Sequence, residues 1–384
     1  MTVSGAYTVN SREMAGGLGI QSAHIAFISF VTSIGMAAFS PFFYSLVSVR
    51  RQKLMSLVGF SLLAVQSYIC ANTDSLFILA LNSLIMGFVR QTLLMCTLFT
   101  LIKYGFGIEA TRNVSPGNEP TDEAGWDALD TEKKASQPII YFFFMLLGQI
   151  GTWITAWFAY NYHWQMVYYA MLGAILVALL ITLVCMPYNP YPTKHSPLSF
   201  SKFGNVVVFC IMCCSFVYVT VYGKTYDWFD NASICWATVI CVVSTLLFIY
   251  LEKTRRSPYF MLKAFKSRSI QGGILLFIGL MICNSSSMLV NIFVGVGMKT
   301  DQIQIAALGN WVLVGYFIGL VTILILNNKG VHFKWFFAMG FILIGAASLF
   351  MYFEVQTDGM LERMKWPVII RATGMMLLYS LIAV

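Results

Sequence analysis

The stretch LFILALNSLIMGFVRQTLLMCTLFTLIK, residues 76–103, decides the fold. From Leu76 to Leu101 its only charge is Arg90, and about 20 consecutive apolar residues are enough for a helix to cross a bilayer. Working outward, ten more stretches follow the same rule: residues 22–48, 54–71, 138–160, 166–187, 204–223, 232–251, 270–297, 303–326, 335–353 and 366–384. Transmembrane β-strands run to only about ten residues and alternate apolar with polar, a pattern these stretches lack. The expected fold class is therefore all-α, a polytopic membrane helix bundle with eleven spans. The composition agrees, with 58% hydrophobic and 10% charged residues against roughly a quarter charged in soluble domains. It excludes an ordinary soluble fold, a disordered chain and a disulfide scaffold.

The placement of basic residues orients the spans. If the first span ends inside, the inner connections hold 17 Lys and Arg, among them Arg50, Arg51, Lys53, Lys253, Arg255 and Arg256, and the outer ones hold five: Arg12, Lys224, Lys299, Arg363 and Lys365. Basic residues are retained on the cytoplasmic side, so this asymmetry accounts for the net charge of +8 without nucleic acid as a partner. The same orientation puts residues 1–21 outside, although they contain no signal-peptide pattern. We expect at least one helix before Met1 to carry them across and further helices after Val384, where the chain stops within an apolar run. The nine cysteines, including the Cys210, Cys213, Cys214 group, fall in or beside apolar spans and read as small hydrophobes. No metal or cofactor site is expected from them, because no His or carboxylate joins the group.

Polar groups inside the spans are the candidate site. An arginine near mid-bilayer costs a few kcal/mol on insertion scales, about 3, and faces a cavity or a partner. Arg90 lies near the centre of its span, and Arg371 stands about one and a half turns into the last one. Their contexts, Arg90-Gln91-Thr92 with Met95 and Arg371-Ala372-Thr373 with Met376, echo one another. The eighth span carries Asn284, Ser285, Ser286 and Ser287, and then Asn291 seven residues after Asn284 and on its face, a polar group expected to line a wet interior rather than lipid. Gln149 joins them, Gln66 more weakly, and Gly315 with Gly319 reads as close packing. All 16 Asp and Glu fall in tails or connections. His24, His163, His195 and His332 are scattered over both sides, so no nucleophile with a base points to a membrane enzyme.

Two motifs carry a resemblance. Tyr160-Asn161-Tyr162-His163-Trp164-Gln165-Met166 resembles the turn between the fifth and sixth helices of major facilitator superfamily drug/proton antiporters. Tyr222-Gly223-Lys224-Thr225-Tyr226-Asp227-Trp228-Phe229-Asp230, followed by Leu251-Glu252-Lys253-Thr254-Arg255-Arg256-Ser257-Pro258, is similar to the linker region of the fourteen-helix branch. In that alignment the eleven spans match family helices two to twelve. Three family signatures are altered: the basic loop after helix two survives only as Val49-Arg50-Arg51-Gln52-Lys53 with no Asp, the fifth-helix Gly-Pro-x-x-Gly-Gly reads Gly151-Thr152-Trp153-Ile154-Thr155-Ala156, and the fourth-helix Arg falls on Ser83.

The resemblance implies an N-terminal helical half over residues 1–187, two extra linker helices over 188–269 and a C-terminal half over 270–384. The stretch 104–137, acidic and containing Pro and Gly, reads by its composition as a cytoplasmic loop, longer than family members usually have there. The resemblance also implies a secondary active transporter of the bacterial inner membrane that exports amphipathic organic compounds in exchange for protons. The partners implied are a small-molecule substrate, the lipid bilayer and protons. The alternatives are a non-transporting or inactive fragment of such a carrier and, further off, a membrane-embedded enzyme.

Overall fold

The computed structural model describes residues 11–40, 52–100, 123–186, 201–254, 266–292, 294, 302–331, 333–354 and 362–382. Among them twelve α-helices form: α1 (Ser11–Leu18), α2 (Ser22–Phe39), α3 (Gln52–Asn72), α4 (Leu76–Thr100), α5 (Glu123–Asn161), α6 (Trp164–Cys185), α7 (Ser201–Tyr222), α8 (Ala232–Thr254), α9 (Arg268–Ile292), α10 (Gln302–Asn328), α11 (Phe333–Glu354) and α12 (Lys365–Ile382). The described residues contain no strand.

Eight of these helices are long and apolar enough to cross a membrane, and α2 and α9 contribute shorter apolar segments, Ala23–Phe39 and Ile270–Cys283. The chain is a multi-pass, all-helical membrane protein. Each of the eleven expected spans overlaps a helix among the described residues, although eleven crossings is a larger number than length and hydropathy establish. α12, 18 residues long, carries both Lys365 and Arg371. Outward faces are apolar throughout, as with Leu180, Ile181 and Val184 on α6 and Val242, Val243 and Leu246 on α8. Such surface suits lipid and would drive aggregation in water. Hydroxyls inside the spans bond back to the preceding turn, as in Thr32 Oγ1 to the Ile28 carbonyl (3.2 Å) and Thr155 Oγ1 to the Gly151 carbonyl (2.7 Å). This satisfies them without water.

Two compact units form. The first comprises residues 1–110 and 161–261, the second residues 111–160 and 262–384. In the first, α4 packs on both α2 and α3, α6 covers α3, and the α7–α8 hairpin lies against α2. In the second, α12 sits between α10 and α11, with α9 at its side. α5 joins this second unit through Ile139, Tyr141 and Phe142, which pack around Leu320, Ile323 and Phe336. Phe142 also meets Phe317 edge-on at 6.2 Å.

Two departures from expectation concern helix ends. The loop expected to reach residue 137 is shorter, because Glu123–Gln137 continue α5 as helix. That segment is rich in good helix formers such as Ala124, Ala128, Leu129, Glu132, Lys133 and Lys134, and its acidic residues lie toward the positive end of the dipole. The expectation that no carboxylate lies inside a span fails at Glu252. α8 runs on to Thr254, so Glu252 occupies its last turns, only 4% exposed. There Asn205 of α7 donates its Nδ2 to Glu252 Oε2 at 3.3 Å.

The two resembling motifs have clear structural reasons. Asp227 and Trp228 both adopt positive φ, 52° and 54°, an uncommon conformation for side chains of that size. The turn holds because Trp228 donates its backbone N–H to the Gly223 carbonyl at 2.7 Å, and its ring rests where any Cβ on residue 223 would be. In the other motif Trp164 opens α6 and is buried against Gly17 of α1, and Tyr168 Oη donates to Met14 Sδ at 3.7 Å.

Candidate functional site

α4 is positioned by small residues and a buried stripe. Leu79, Ser83, Met86 and Leu93 are buried, and Gly87 meets Gly35 of α2 so closely that a Cβ on Gly87 would come within 2.8 Å of the Gly35 Cα. Leu93 packs onto Gly59 of α3. A second anchor comes from Asn82, whose Nδ2 donates to the Gln66 carbonyl at 3.0 Å and to Cys70 Sγ at 3.1 Å. Gln66 itself is buried, and its Oε1 has no partner among the described residues. Held by these contacts, Arg90 is partly buried at mid-helix, and no hydrogen bond or ion pair to it forms among the described residues. Among the described residues, the other charge standing within an apolar helix away from its ends is Arg371 of α12.

Arg371 is placed by the equivalent arrangement in the second unit. Gly374 of α12 packs on Gly340 of α11, and Gly315 of α10 lies against Ile369, Ala372 and Thr373. Gly59 precedes Leu93, and Gly340 precedes Gly374, by the same 34 residues. In each case the arginine stands three residues before the contact. Thr92 and Thr373 then both donate to the carbonyl four residues back, Phe88 at 3.0 Å and Ile369 at 2.9 Å. The echo in sequence is accompanied by a likeness in packing: α4 packs on α2 and α3, and α12 packs on α10 and α11.

The two arginines differ in what meets them. Arg371 is 8% exposed and donates its Nη2 to the Cys283 carbonyl of α9 at 3.1 Å. Tyr316 of α10 and Tyr379 of α12 lie beside it, packed with Cys283 on one apolar cluster. Cys283 directly precedes the polar run on α9, so the structure brings Arg371 to the start of Asn284–Ser287. Asn284, Ser287 and Asn291 are helical, and their side chains lie outside the described residues. Gln149, in α5 of the same unit, presents its side-chain amide to Gly309 of α10. Arg90 belongs to the first unit.

Sequence reasoning missed Tyr316 and Tyr379. Their only signal was a phenol within an apolar run, next to Gly315 in one case and eight residues after Arg371 in the other. It also missed the buried Asn82 and the Asn205–Glu252 pair. Among the described residues no three His, Cys, Asp or Glu side chains gather as a metal site would need. A scan against family models finds no match for the chain, and a search of curated proteins finds none either.

Proposed function

We propose that the chain is a secondary carrier of the major facilitator type, which exports amphipathic organic compounds across the bacterial inner membrane in exchange for protons. The observation that carries this reading is the likeness in packing of α4 on α2 and α3 and of α12 on α10 and α11, with an arginine three residues before a helix contact in each. Repeats parallel to one another are how the two halves of such carriers are built, with substrate groups near the bilayer midplane. An intramembrane arginine marks a transport path more often than a structural contact, since its insertion is costly. The wet face expected on α9, anchored through Cys283 to Arg371, adds polar groups of the kind a carrier interior needs. The eleven helical segments and the two resembling motifs fit the fourteen-helix drug/proton antiporter pattern.

The test is transport of an amphipathic dye into everted vesicles carrying the protein as the cell makes it, driven by a proton gradient. Arg90→Ala should abolish uptake per unit of inserted protein while insertion itself is retained. A wild-type protein that moves no dye of any charge class would overturn the reading.

A further inference from the structure

The repeat holds two arginines whose electrostatic situations are unlike, and that contrast carries an inference about the substrate. It rests on the carrier reading. Arg371 spends part of its donor capacity on a backbone carbonyl at 3.1 Å and has two phenols beside it. Arg90 stands at the same spacing from a helix contact, and has neither a hydrogen bond nor an ion pair among the described residues. A guanidinium is always charged and offers five donors in a planar fork. Removing it from water without an anion is among the costliest arrangements a membrane interior can hold.

The helices packed together around it, α2, α3 and α4, contain no Asp or Glu. Glu252, which shares a unit with Arg90, stands at the end of α8 and accepts from Asn205. Along α4 itself, the turns on either side of Arg90 present Met86, Gly87, Leu93 and Leu94, which can offer no negative charge. The charge that α2, α3 and α4 place between their ends is therefore positive. A cationic drug brought there would be repelled, and a neutral one would leave the guanidinium uncompensated.

We propose that Arg90 is the binding site for the acidic group of the substrate, and that the transported class is amphipathic organic anions, a carboxylate, sulfonate or phosphate joined to an apolar body. The acidic group fits the guanidinium fork with paired, charge-assisted hydrogen bonds. The apolar body suits the aliphatic and sulfur-containing side chains that surround it on α4. Arg371, already tied to α9, is the structural member of the pair and Arg90 the one left for ligand.

The experiment compares two fluorescent probes with one skeleton: anilinonaphthalene sulfonate, which is anionic, and phenylnaphthylamine, its uncharged parent. Saturable binding to the purified full-length protein in nanodiscs and flux in proteoliposomes are both measured, for wild type, Arg90→Gln and Arg90→Lys. The expected result is that the sulfonate binds and crosses, that Arg90→Gln weakens its binding roughly 10- to 100-fold, as loss of charged hydrogen bonds predicts, and that Arg90→Lys restores part of it. The parent should bind more weakly than the sulfonate and be indifferent to both substitutions.

Equal affinity for both probes in wild type, or sulfonate binding unchanged in Arg90→Gln, would overturn the inference. If either probe still crosses in that case, the carrier reading survives. With Arg90-dependent sulfonate binding but no flux of either probe, the anion site stands and the carrier reading falls. Should Arg90→Gln fail to fold, the comparison of the two probes on wild type and Arg90→Lys decides alone.

Discussion

Replacing Gly87 by alanine tests the packing that holds Arg90 in place. The added Cβ would lie against the Thr32 carbonyl oxygen and 2.8 Å from the Gly35 Cα, whereas carbon atoms in contact sit about 3.5–4.0 Å apart. The neighbours are backbone, so no side chain can swing aside, and α2 and α4 must part by roughly 1 Å. A gap of that size forfeits about a quarter to a half of each dispersion contact along the seam. Overpacking of this kind costs about 1–3 kcal/mol. Alanine also returns up to about 1 kcal/mol of helix propensity, which would mask part of the loss.

The control is Gly173→Ala on α6, where nothing lies within 4 Å of the new Cβ. Both variants gain the propensity, so their difference isolates the overlap. Gly87→Ala should be less stable than Gly173→Ala by about 1–3 kcal/mol, measured as the shift in unfolding midpoint when SDS is titrated into mixed micelles. Equal midpoints for the two variants would refute the close crossing of α2 and α4, and with it the register of Arg90.

Asn82→Leu removes the hydrogen bonds to the Gln66 carbonyl and Cys70 and should cost about 1 kcal/mol in the same titration, in line with interhelical hydrogen bonds in membranes; an unchanged midpoint would show that the bonds contribute nothing. Arg371→Met frees the Cys283 carbonyl, so amide exchange over residues 284–287 should accelerate roughly tenfold, as loss of a charged hydrogen bond predicts. Unaltered exchange there would mean that the contact does not hold α9. For orientation, a cysteine at Asp74, in the exposed α3–α4 connection, should react with an impermeant maleimide added to intact cells, and one at Lys266 only after permeabilisation. The reverse pattern would invert the topology.

The spans were readable because hydropathy is a property of local sequence: residues 76–97 or 232–254 declare themselves without any knowledge of their neighbours. The two arginines were readable for the same reason, since a charge in an apolar run stands out. What separates them was not, because the carbonyl that meets Arg371 belongs to Cys283, 88 residues away. Helix ends were also hidden. Glu252 looks like the first residue of a charged connection, and only its packing against Asn205 makes it part of α8. The acidic segment before Pro138 reads as solvated loop by charge and as helix by propensity, and at its junction with an established span propensity wins. The partner of α5 is a matter of shape, set by Phe142 against Phe317, and no pattern along the helix announces it.

The assignment of α5 to the second unit has a consequence for connectivity. The main chain passes from one unit to the other at residues 110–111, again at 160–161 and again at 261–262. A single peptide-bond cleavage between Met261 and Leu262 therefore does not release two self-contained pieces. The upstream piece keeps α5, whose packing surface belongs to the downstream piece, so the two are complementary in the manner of a split reporter. Coexpressed from separate genes, they would find one another through a helix that each needs in the other's neighbourhood. The intact polypeptide imposes that pairing during synthesis: α5 emerges before α6, α7 and α8 and must wait in the membrane for α10 and α12 to be made.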